Sequence, residues 1–281
     1  IKNSHRPQQW SAPIVVFLVI VCLLGHNLYG QSGHVLDGVG AADQAMAGAT
    51  TALPLDAIGA VHRNPASMTG LPSSEMGIGM AVFAPTTDLR STVPGFGSGS
   101  TGSDVDISPL PSMGIVQQSE DGIWAMGFGG FAVAGFGVDF PDSPDNPVLS
   151  PGFFGGIYSS FQLLQIGFPV ACRLTDRLSV GIAPNFNWAS LGVTPFSAAP
   201  PDLTPGGPVY PNGSRTDAKW GMGFQTGVYF NDTCTGWHAG LNYSSTQWFQ
   251  DFKINSRTPT GTPRQLEFDL DYPSILSMGV A

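Results

Sequence analysis

The sequence predicts an all-β protein, a transmembrane antiparallel β-barrel. Three observations support this fold class. Apolar side chains occupy every second position in successive segments of about ten residues, which is the period of a β-strand. The connections between these segments alternate between long and short, as they do in outer-membrane barrels. The chain also begins with the pattern of an export signal.

Composition agrees with an all-β fold and excludes two other classes. The chain has 37 glycines, 11% charged residues and 11% aromatic residues. It is therefore too apolar to be disordered and too rich in glycine for a helical bundle. A formal net charge of −9 argues against nucleic-acid binding, which needs clustered lysines and arginines.

Residues 1–30 are interpreted as a secretory signal peptide. Lys2 and Arg6 precede an apolar run over residues 14–24, and cleavage is expected after Gly30. The alternative is an N-terminal membrane anchor, but the apolar run is shorter than the roughly 20 residues that a spanning helix needs. The sequence thus predicts export from the cytoplasm.

Residues 31–72 form a second region, which shows no strand alternation. Residues 38–52 are dense in alanine and glycine, and their small side chains permit tight packing. Asn64-Pro65-Ala66 is interpreted as a turn, because proline biases the preceding residue away from helix. A packed segment is favoured here over a flexible leader ahead of the barrel.

Residues 73–281 are predicted to form the barrel. Between residues 217 and 230, Trp220, Met222 and Phe224 share one face, whereas Lys219 and Gln225 lie on the other. A soluble β-sandwich also alternates, so the connections distinguish the two folds. The long connections are 85–108, 134–159, 192–216 and 249–263, and the short turns lie at 120–121, 175–177, 231–234 and Pro273.

We predict about nine strands from this pattern. Their ranges are 75–84, 109–118, 122–133, 160–174, 178–191, 217–230, 235–248, 264–272 and 274 to the end. An odd number of strands does not close a bacterial barrel of the usual even count, and a spanning sheet must close so that all backbone groups are paired. Further C-terminal strands are therefore expected.

The third predicted strand contains a break in its alternation. Trp124, Met126 and Phe128 share a face, but the next large residues, Phe131 and Val133, are one position out of phase. The change falls at Gly129 and Gly130, and such a slip across a glycine pair is typical of a β-bulge. The alternative is a simple strand end at which the phase change has no meaning.

Several short stretches resemble one family of membrane proteins. The most specific are residues 40–49, 56–58 and 63–71, of which the last contains Asn64-Pro65-Ala66. They are similar to the plug signature of the FadL and TodX outer-membrane transporters. Residues 110–114, 175–181 and 220–225 also resemble that family, and the similarity extends from about Val35 to the end of the chain.

This resemblance implies a fourteen-stranded barrel in the bacterial outer membrane, closed by an N-terminal hatch. It implies passive uptake of long-chain fatty acids or aromatic hydrocarbons, with no cofactor. Asn64, Pro65 and Ala66 would belong to the hatch, whose rearrangement opens the channel, although an ordinary turn also explains them. A kink in the third strand, here at Gly129 and Gly130, would give the ligand a side exit into the lipid of the outer membrane.

Four large apolar residues are expected to point into the lumen against its usual polarity: Phe83, Phe131, Phe161 and Leu163. They are the candidate ligand contacts. Packing against the hatch explains the same residues equally well, so both interpretations stay open at this point.

Other functional classes have weaker support in the sequence. His62 and His238 belong to no recognisable Ser-His-acid constellation, and no metal-ligand cluster or phosphate-binding glycine motif is visible, so neither an enzyme nor a metal site is expected. A structural or adhesive outer-membrane barrel remains the alternative, but it would not need a hatch. Cys172 and Cys234 are predicted on an outward face and in a turn, and whether they pair stays open. The oligomeric state also stays open.

Overall fold

The computed structural model describes residues 35–151, 153–213 and 216–281. The signal peptide expected at residues 1–30 lies outside the described residues. Within the described ranges, no helix is long and apolar enough to cross a membrane.

Residues 35–72, here called the helical segment, contain short helices and no regular strand. They are α1 (Ala41–Ala45), α2 (Ala57–Arg63) and a 3₁₀ helix (Pro65–Gly70). Helix α2 begins where the sequence provides an N-cap, because the Asp56 carboxylate accepts a hydrogen bond of 2.7 Å from the Gly59 N–H. It ends at Asn64, whose extended backbone is the conformation that a following proline favours.

The rest of the described chain is dominated by antiparallel strands. In chain order they are β1 (Glu75–Phe83), β2 (Asp88–Val93), β3 (Gly97–Gly102), β4 (Ser108–Gln118), β5 (Trp124–Phe140), β6 (Ile157–Gly167), β7 (Val170–Arg173), β8 (Leu178–Thr194), β9 (Asp202–Thr204), β10 (Gly207–Val209), β11 (Asp217–Asp232), β12 (Trp237–Ser244), β13 (Trp248–Phe249), β14 (Phe252–Arg257), β15 (Pro263–Phe268) and β16 (Ile275–Val280). A second short 3₁₀ helix spans Pro147–Leu149.

One large sheet has the order β1-β4-β5-β6-β8-β11-β12-β16. Strand β7 continues the line of β6, because both pair with β5 on one side and β8 on the other. Strand β13 pairs with β11 beyond the end of β12. Sequential neighbours therefore pair along the whole sheet, in the up-and-down order of a barrel wall. The remaining strands form separate hairpins, β2–β3, β9–β10 and β14–β15.

The prediction of a strand at residues 264–272 within the main sheet is wrong. Residues 263–268 form β15, which pairs only with β14 in a hairpin of its own. Its alternation is real but has another cause, because Leu266 packs with Phe196 and Ile254 in a small core of the connecting loops. The main sheet thus has eight strand positions, and its last long connection runs to residue 274.

The long connections are folded rather than irregular. Three contain the hairpins named above, and the connection from β5 to β6 contains the second 3₁₀ helix. Asn146, which is fully buried, fastens that connection to the β2–β3 hairpin by donating to the carbonyl oxygen of Leu89 over 2.9 Å. Arg264 of β15 pairs with the carboxylate of Asp202 in β9.

Burial in the main sheet is the reverse of that in a water-soluble protein. On β11, Trp220 is 59% exposed and Met222 61%, whereas Gln225 on the opposite face is 2% exposed. Asn185 and Asn187 of β8 are likewise buried. An apolar outer face with a polar inner face is the arrangement of a transmembrane barrel wall, whose outside meets lipid.

Candidate functional site

The inner face of the sheet holds the helical segment against a stripe of glycines. A Cβ at Gly181 would lie 2.5 Å from the backbone nitrogen of Ala66, and one at Gly114 would lie 2.7 Å from the Cα of Ile58. A Cβ at Gly227 would collide with the side chain of Asn64. These inward positions therefore need glycine so that the backbone of the helical segment can approach the wall.

Asn64 connects the helical segment to the wall. It is completely buried, and its Nδ2 donates to the carbonyl oxygens of Thr51 and, on β11, Val228, each over 3.0 Å. Its Oδ1 accepts from the N–H of Ala66 over 3.1 Å, which closes an Asx-type turn around Pro65. Asn64, Pro65 and Ala66 thus combine the predicted turn with an attachment to the barrel wall.

The 3₁₀ helix that follows is attached at further points. The Thr69 hydroxyl donates to Ser179 Oγ on β8 over 2.7 Å, and Arg173 on β7 donates to the Thr69 carbonyl oxygen over 2.6 Å. Gln118 on β4 donates to the carbonyl oxygen of Leu71 over 2.7 Å. Residues 56–72 are consequently bonded to four strands of the wall, and we call them the anchored part.

Residues 35–55, here called the leading part, are attached mainly to the anchored part. The buried carboxylate of Asp43 accepts hydrogen bonds from the Val39 N–H over 2.9 Å and from the Thr50 hydroxyl. It also pairs with Arg63 Nε over 2.9 Å. The sequence did not reveal the ion pair between Asp43 and Arg63, because a single acid and a single base 20 positions apart form no local pattern.

His62 of α2 lies beside this ion pair and is buried against the wall. Its ring meets the edge of Phe131 with centroids 5.4 Å apart, and its Nδ1 is buried without a hydrogen-bond partner. Burial is the main cause that lowers the pKa of His62 from 6.5 to about 3, and the charge of Arg63 adds to the effect. The ring is therefore neutral at pH 7.

The wall has an opening between β4 and β5. Their ladder ends at Ser112 and Phe131, although β4 begins at Ser108 and β5 continues to Phe140. The freed edge of β5 is instead met by the start of the leading part, where the Leu36 N–H donates to the Val133 carbonyl oxygen over 3.1 Å. A cavity of about 60 Å³ lies at this point, lined by apolar residues that include Leu36, Val39, Ala81, Leu110 and Ala132.

The predicted bulge at Gly129 and Gly130 lies elsewhere. Both glycines keep a regular ladder to β4 and β6, and the register shift in the pairing with β6 falls between Ala132 and Ala134. Position 129 needs glycine for another reason, because a Cβ there would collide with the side chains of Phe131 and Val61. A Cβ at Gly130 would meet nothing within 4 Å. The bulge therefore centres on Val133, at the opening itself.

Three of the four candidate ligand contacts come together. Phe131, Phe161 and Leu163 are each at most 5% exposed and share one core cluster with Val61 of α2. Phe83 does not join them, because it lies near the end of β1 opposite Ser108 and is 41% exposed. The structure thus packs three of these residues against the helical segment, and contact with a ligand stays a prediction.

A family model described as outer membrane protein transport protein (OMPP1/FadL/TodX) matches residues 31–253. The chain belongs to this family. Membership confirms the resemblance drawn from the plug motif, the barrel fold class and the bacterial outer membrane as the location. It also confirms a transport protein rather than an enzyme, because this is a family of transport proteins.

Solved structures of similar proteins support the same fold as the family match. The Pseudomonas putida toluene transporter TodX aligns with a TM-score of 0.66 at 18% identity, covering 87% of this chain and 66% of that one. The CymD monoaromatic hydrocarbon channel gives 0.59 at 19% identity, covering 87% and 65%. This chain thus spans less than two thirds of either protein. No curated protein matches the sequence significantly.

Two cysteines lie in the described part of this family member. Cys172 on β7 and Cys234 in the turn before β12 are both free thiols. Within residues 35–151, 153–213 and 216–281, no cluster of three or more histidine, cysteine, aspartate or glutamate side chains is placed to hold a metal ion.

Proposed function

We propose that this chain forms part of an outer-membrane channel for the passive uptake of hydrophobic small molecules, and that monoaromatic compounds are its substrate class. The names of the similar structures, a toluene transporter and a monoaromatic hydrocarbon channel, support this class over long-chain fatty acids. On this proposal residues 1–30 direct export, residues 31–72 act as the hatch, and the sheet described above is the N-terminal portion of a larger barrel.

The observation that carries the proposal is the opening between β4 and β5. The ladder between these strands stops at Ser112 and Phe131, and an apolar cavity lies beside the gap. A hydrophobic compound that left the lumen here would enter lipid directly, without crossing water. The bulge at Val133 helps to keep the gap open, since an extra residue bends a strand and disrupts its ladder.

The leading part would act as the gate of this exit. Val35 forms an isolated antiparallel bridge with Ala134, and Leu36 is bonded to Val133, so these residues close the freed edge of β5. Opening then requires the leading part to move away from β5. In this mechanism Asn64, Pro65 and Ala66 hold the hatch in place, and the rearrangement occurs on their N-terminal side.

Phe131, Phe161 and Leu163 are proposed to face the ligand when the leading part moves. They lie in the core beside Val133 and Ala134, next to the exit. While the gate is closed they pack against α2, so packing and ligand contact describe two states of the same surface. Phe83, near the other end of the gap, is proposed as a more distant contact.

A reversible cross-link tests the gate. Cysteines at Val35 and Ala134, in a complete barrel carrying Cys172→Ser and Cys234→Ser, would face each other across an antiparallel bridge about 4.5–5.5 Å wide, which suits a disulfide. We expect oxidation to reduce the uptake of radiolabelled toluene by about tenfold, because the gate cannot open. Reduction of the disulfide should restore uptake.

The control is a cysteine pair at Lys253 and Glu267, which oppose each other in the β14–β15 hairpin away from the gap. Its oxidation should leave uptake unchanged. Equal toluene uptake by the oxidised and reduced Val35–Ala134 protein would contradict the gate. Uptake of radiolabelled oleate but not of toluene would show that fatty acids are the substrate class instead.

A further inference from the structure

A second cavity, also of about 60 Å³, lies between the helical segment and the inner face of the wall. It has an apolar side, formed by Val35, Leu36 and Val133. Its other side is polar and includes His62, Gln165, Asn242 and Gln247. Val133 belongs to the strand edge of the proposed exit, so a molecule in this cavity would lie next to that exit.

The polar side contains hydrogen-bonding groups without partners. Asn242 on β12 is 3% exposed, and its Oδ1 is buried without a hydrogen bond. Nδ1 of His62 is also buried and unpaired. Gln247 differs, because its Oε1 accepts from Asn187 and its Nε2 donates to the Ser245 carbonyl oxygen. A buried acceptor such as Asn242 Oδ1 costs free energy until a donor reaches it.

The charges around the cavity do not favour an anionic ligand. Arg63 lines it, but its Nε is paired with the Asp43 carboxylate over 2.9 Å, and its Nη2 donates to the Asp37 carbonyl oxygen. The positive charge is thus already matched by a buried negative one. A carboxylate would also bring only acceptors, so it could not satisfy Asn242 Oδ1.

We propose that this cavity selects a neutral aromatic compound that carries a hydroxyl group, such as a simple phenol. The hydroxyl hydrogen would be donated to Asn242 Oδ1, and the ring would lie against Val35, Leu36 and Val133. A plain hydrocarbon would contact the apolar side but would leave Asn242 unpaired. This inference rests on the proposed uptake function and narrows its substrate class.

The test compares the binding of three probes to the complete barrel in detergent by isothermal titration calorimetry. The probes are 4-ethylphenol, ethylbenzene and 4-ethylbenzoate. We expect 4-ethylphenol to bind about tenfold more tightly than either of the others, which is the discrimination that one buried hydrogen bond provides. Equal or tighter binding of ethylbenzene or 4-ethylbenzoate would overturn the proposal.

Variants assign the preference to one side chain. Asn242→Leu should remove the preference for 4-ethylphenol over ethylbenzene. Asn185→Leu is the matched control, because Asn185 is also inward-facing, 1% exposed and unpaired but does not line this cavity. The control should keep the preference. If Asn242→Leu keeps it as well, the proposal is wrong.

A conservative variant keeps the proposal testable if the Asn242→Leu protein does not insert into the membrane. Asn242→Thr keeps an acceptor oxygen and suits a strand, so part of the preference should remain. Complete loss with threonine would contradict the role of the acceptor. The proposed function is tested separately by toluene uptake: a barrel that transports toluene without preferring 4-ethylphenol retains the function and refutes only this inference.

Discussion

The two parts of the helical segment have similar small side chains but are held in different ways. The anchored part, residues 56–72, is hydrogen-bonded to the wall through Asn64, Thr69 and Leu71. The leading part, residues 35–55, meets the strand edge through Val35 and Leu36. Its other hydrogen bonds run within the leading part or to the anchored part: the buried Asp43 pairs with Arg63, and the carbonyl oxygens of Asp37 and Thr51 accept from Arg63 and Asn64.

In the proposed mechanism, this difference lets one short segment both close the lumen and open it. A plug that was bonded to the wall along its whole length could leave only by unfolding. A segment whose second part is bonded to several strands can release its first part while the second stays in place, because local opening costs only the contacts that are broken. The composition of the segment does not distinguish the two parts, but their hydrogen bonds do.

The largest effect is expected from Gly227→Val, which breaks the anchored part. The new side chain would collide with Asn64, so the bonds from Asn64 to the Val228 and Thr51 carbonyl oxygens would be lost. We expect the free energy of unfolding to fall by about 3 kcal/mol or more, since overpacking and unsatisfied buried groups add. Denaturant unfolding of the complete barrel in lipid vesicles measures this change.

Gly130→Val is the control on the opposite, outer face of the wall, since Gly130 alternates with the inward-facing Gly129. A Cβ at Gly130 has open space around it, so the substitution should change stability by at most about 0.5 kcal/mol. If the two variants lose the same stability, the close approach of the helical segment to the wall does not explain the inward glycines. This pair also separates a glycine needed for packing from one that is not.

Alternation predicted all eight positions in the main sheet, but β5 continues to Phe140, about seven residues beyond the predicted end at residue 133. The error at residues 264–272 arose because a hairpin such as β14–β15, which buries one face on neighbouring loops, has the same period as a wall strand. The predicted bulge was placed at Gly129 and Gly130 because Phe131, a large residue on the inner face, looked like a change of phase. Phe131 in fact packs against the helical segment, and the register shift falls at Val133.

The candidate site was less accessible from sequence. The motif around Asn64 was recognised by its resemblance to a family, but its bond to Val228 joins residues 164 positions apart. The inward glycines were visible as small residues at alternate positions, for example Gly221, Gly223 and Gly227 on β11, although they looked like ordinary strand residues. No pattern linked His62 to Asn242, since only the folded sheet brings them to one cavity.

An intermediate effect, confined to the leading part, is expected from Arg63→Met. The substitution leaves the Asp43 carboxylate buried without its cation, so the free energy for opening residues 35–55 should fall by about 2 kcal/mol, or roughly 30-fold in amide hydrogen exchange. Exchange in residues 64–72 should stay unchanged. The double variant Asp43→Asn with Arg63→Met should recover part of the protection. Equal acceleration in both parts would show that they move as one unit.

The smallest effect is expected from pH, through His62. Its pKa is about 3 in the folded protein against an ordinary value of 6.5, so the folded state favours the neutral ring. The stability that this provides is complete well above pH 6.5 and is lost as the pH falls towards 3, by roughly a factor of ten in the unfolding equilibrium at pH 5.5. Amide hydrogen exchange in α2, corrected for the intrinsic exchange rate, should therefore accelerate about tenfold between pH 7.5 and 5.5. Most carboxylates have pKa values below this range, so they do not contribute to the change. His62→Gln should abolish the acceleration, because glutamine does not titrate, whereas an unchanged pH dependence in that variant would assign the effect to another group.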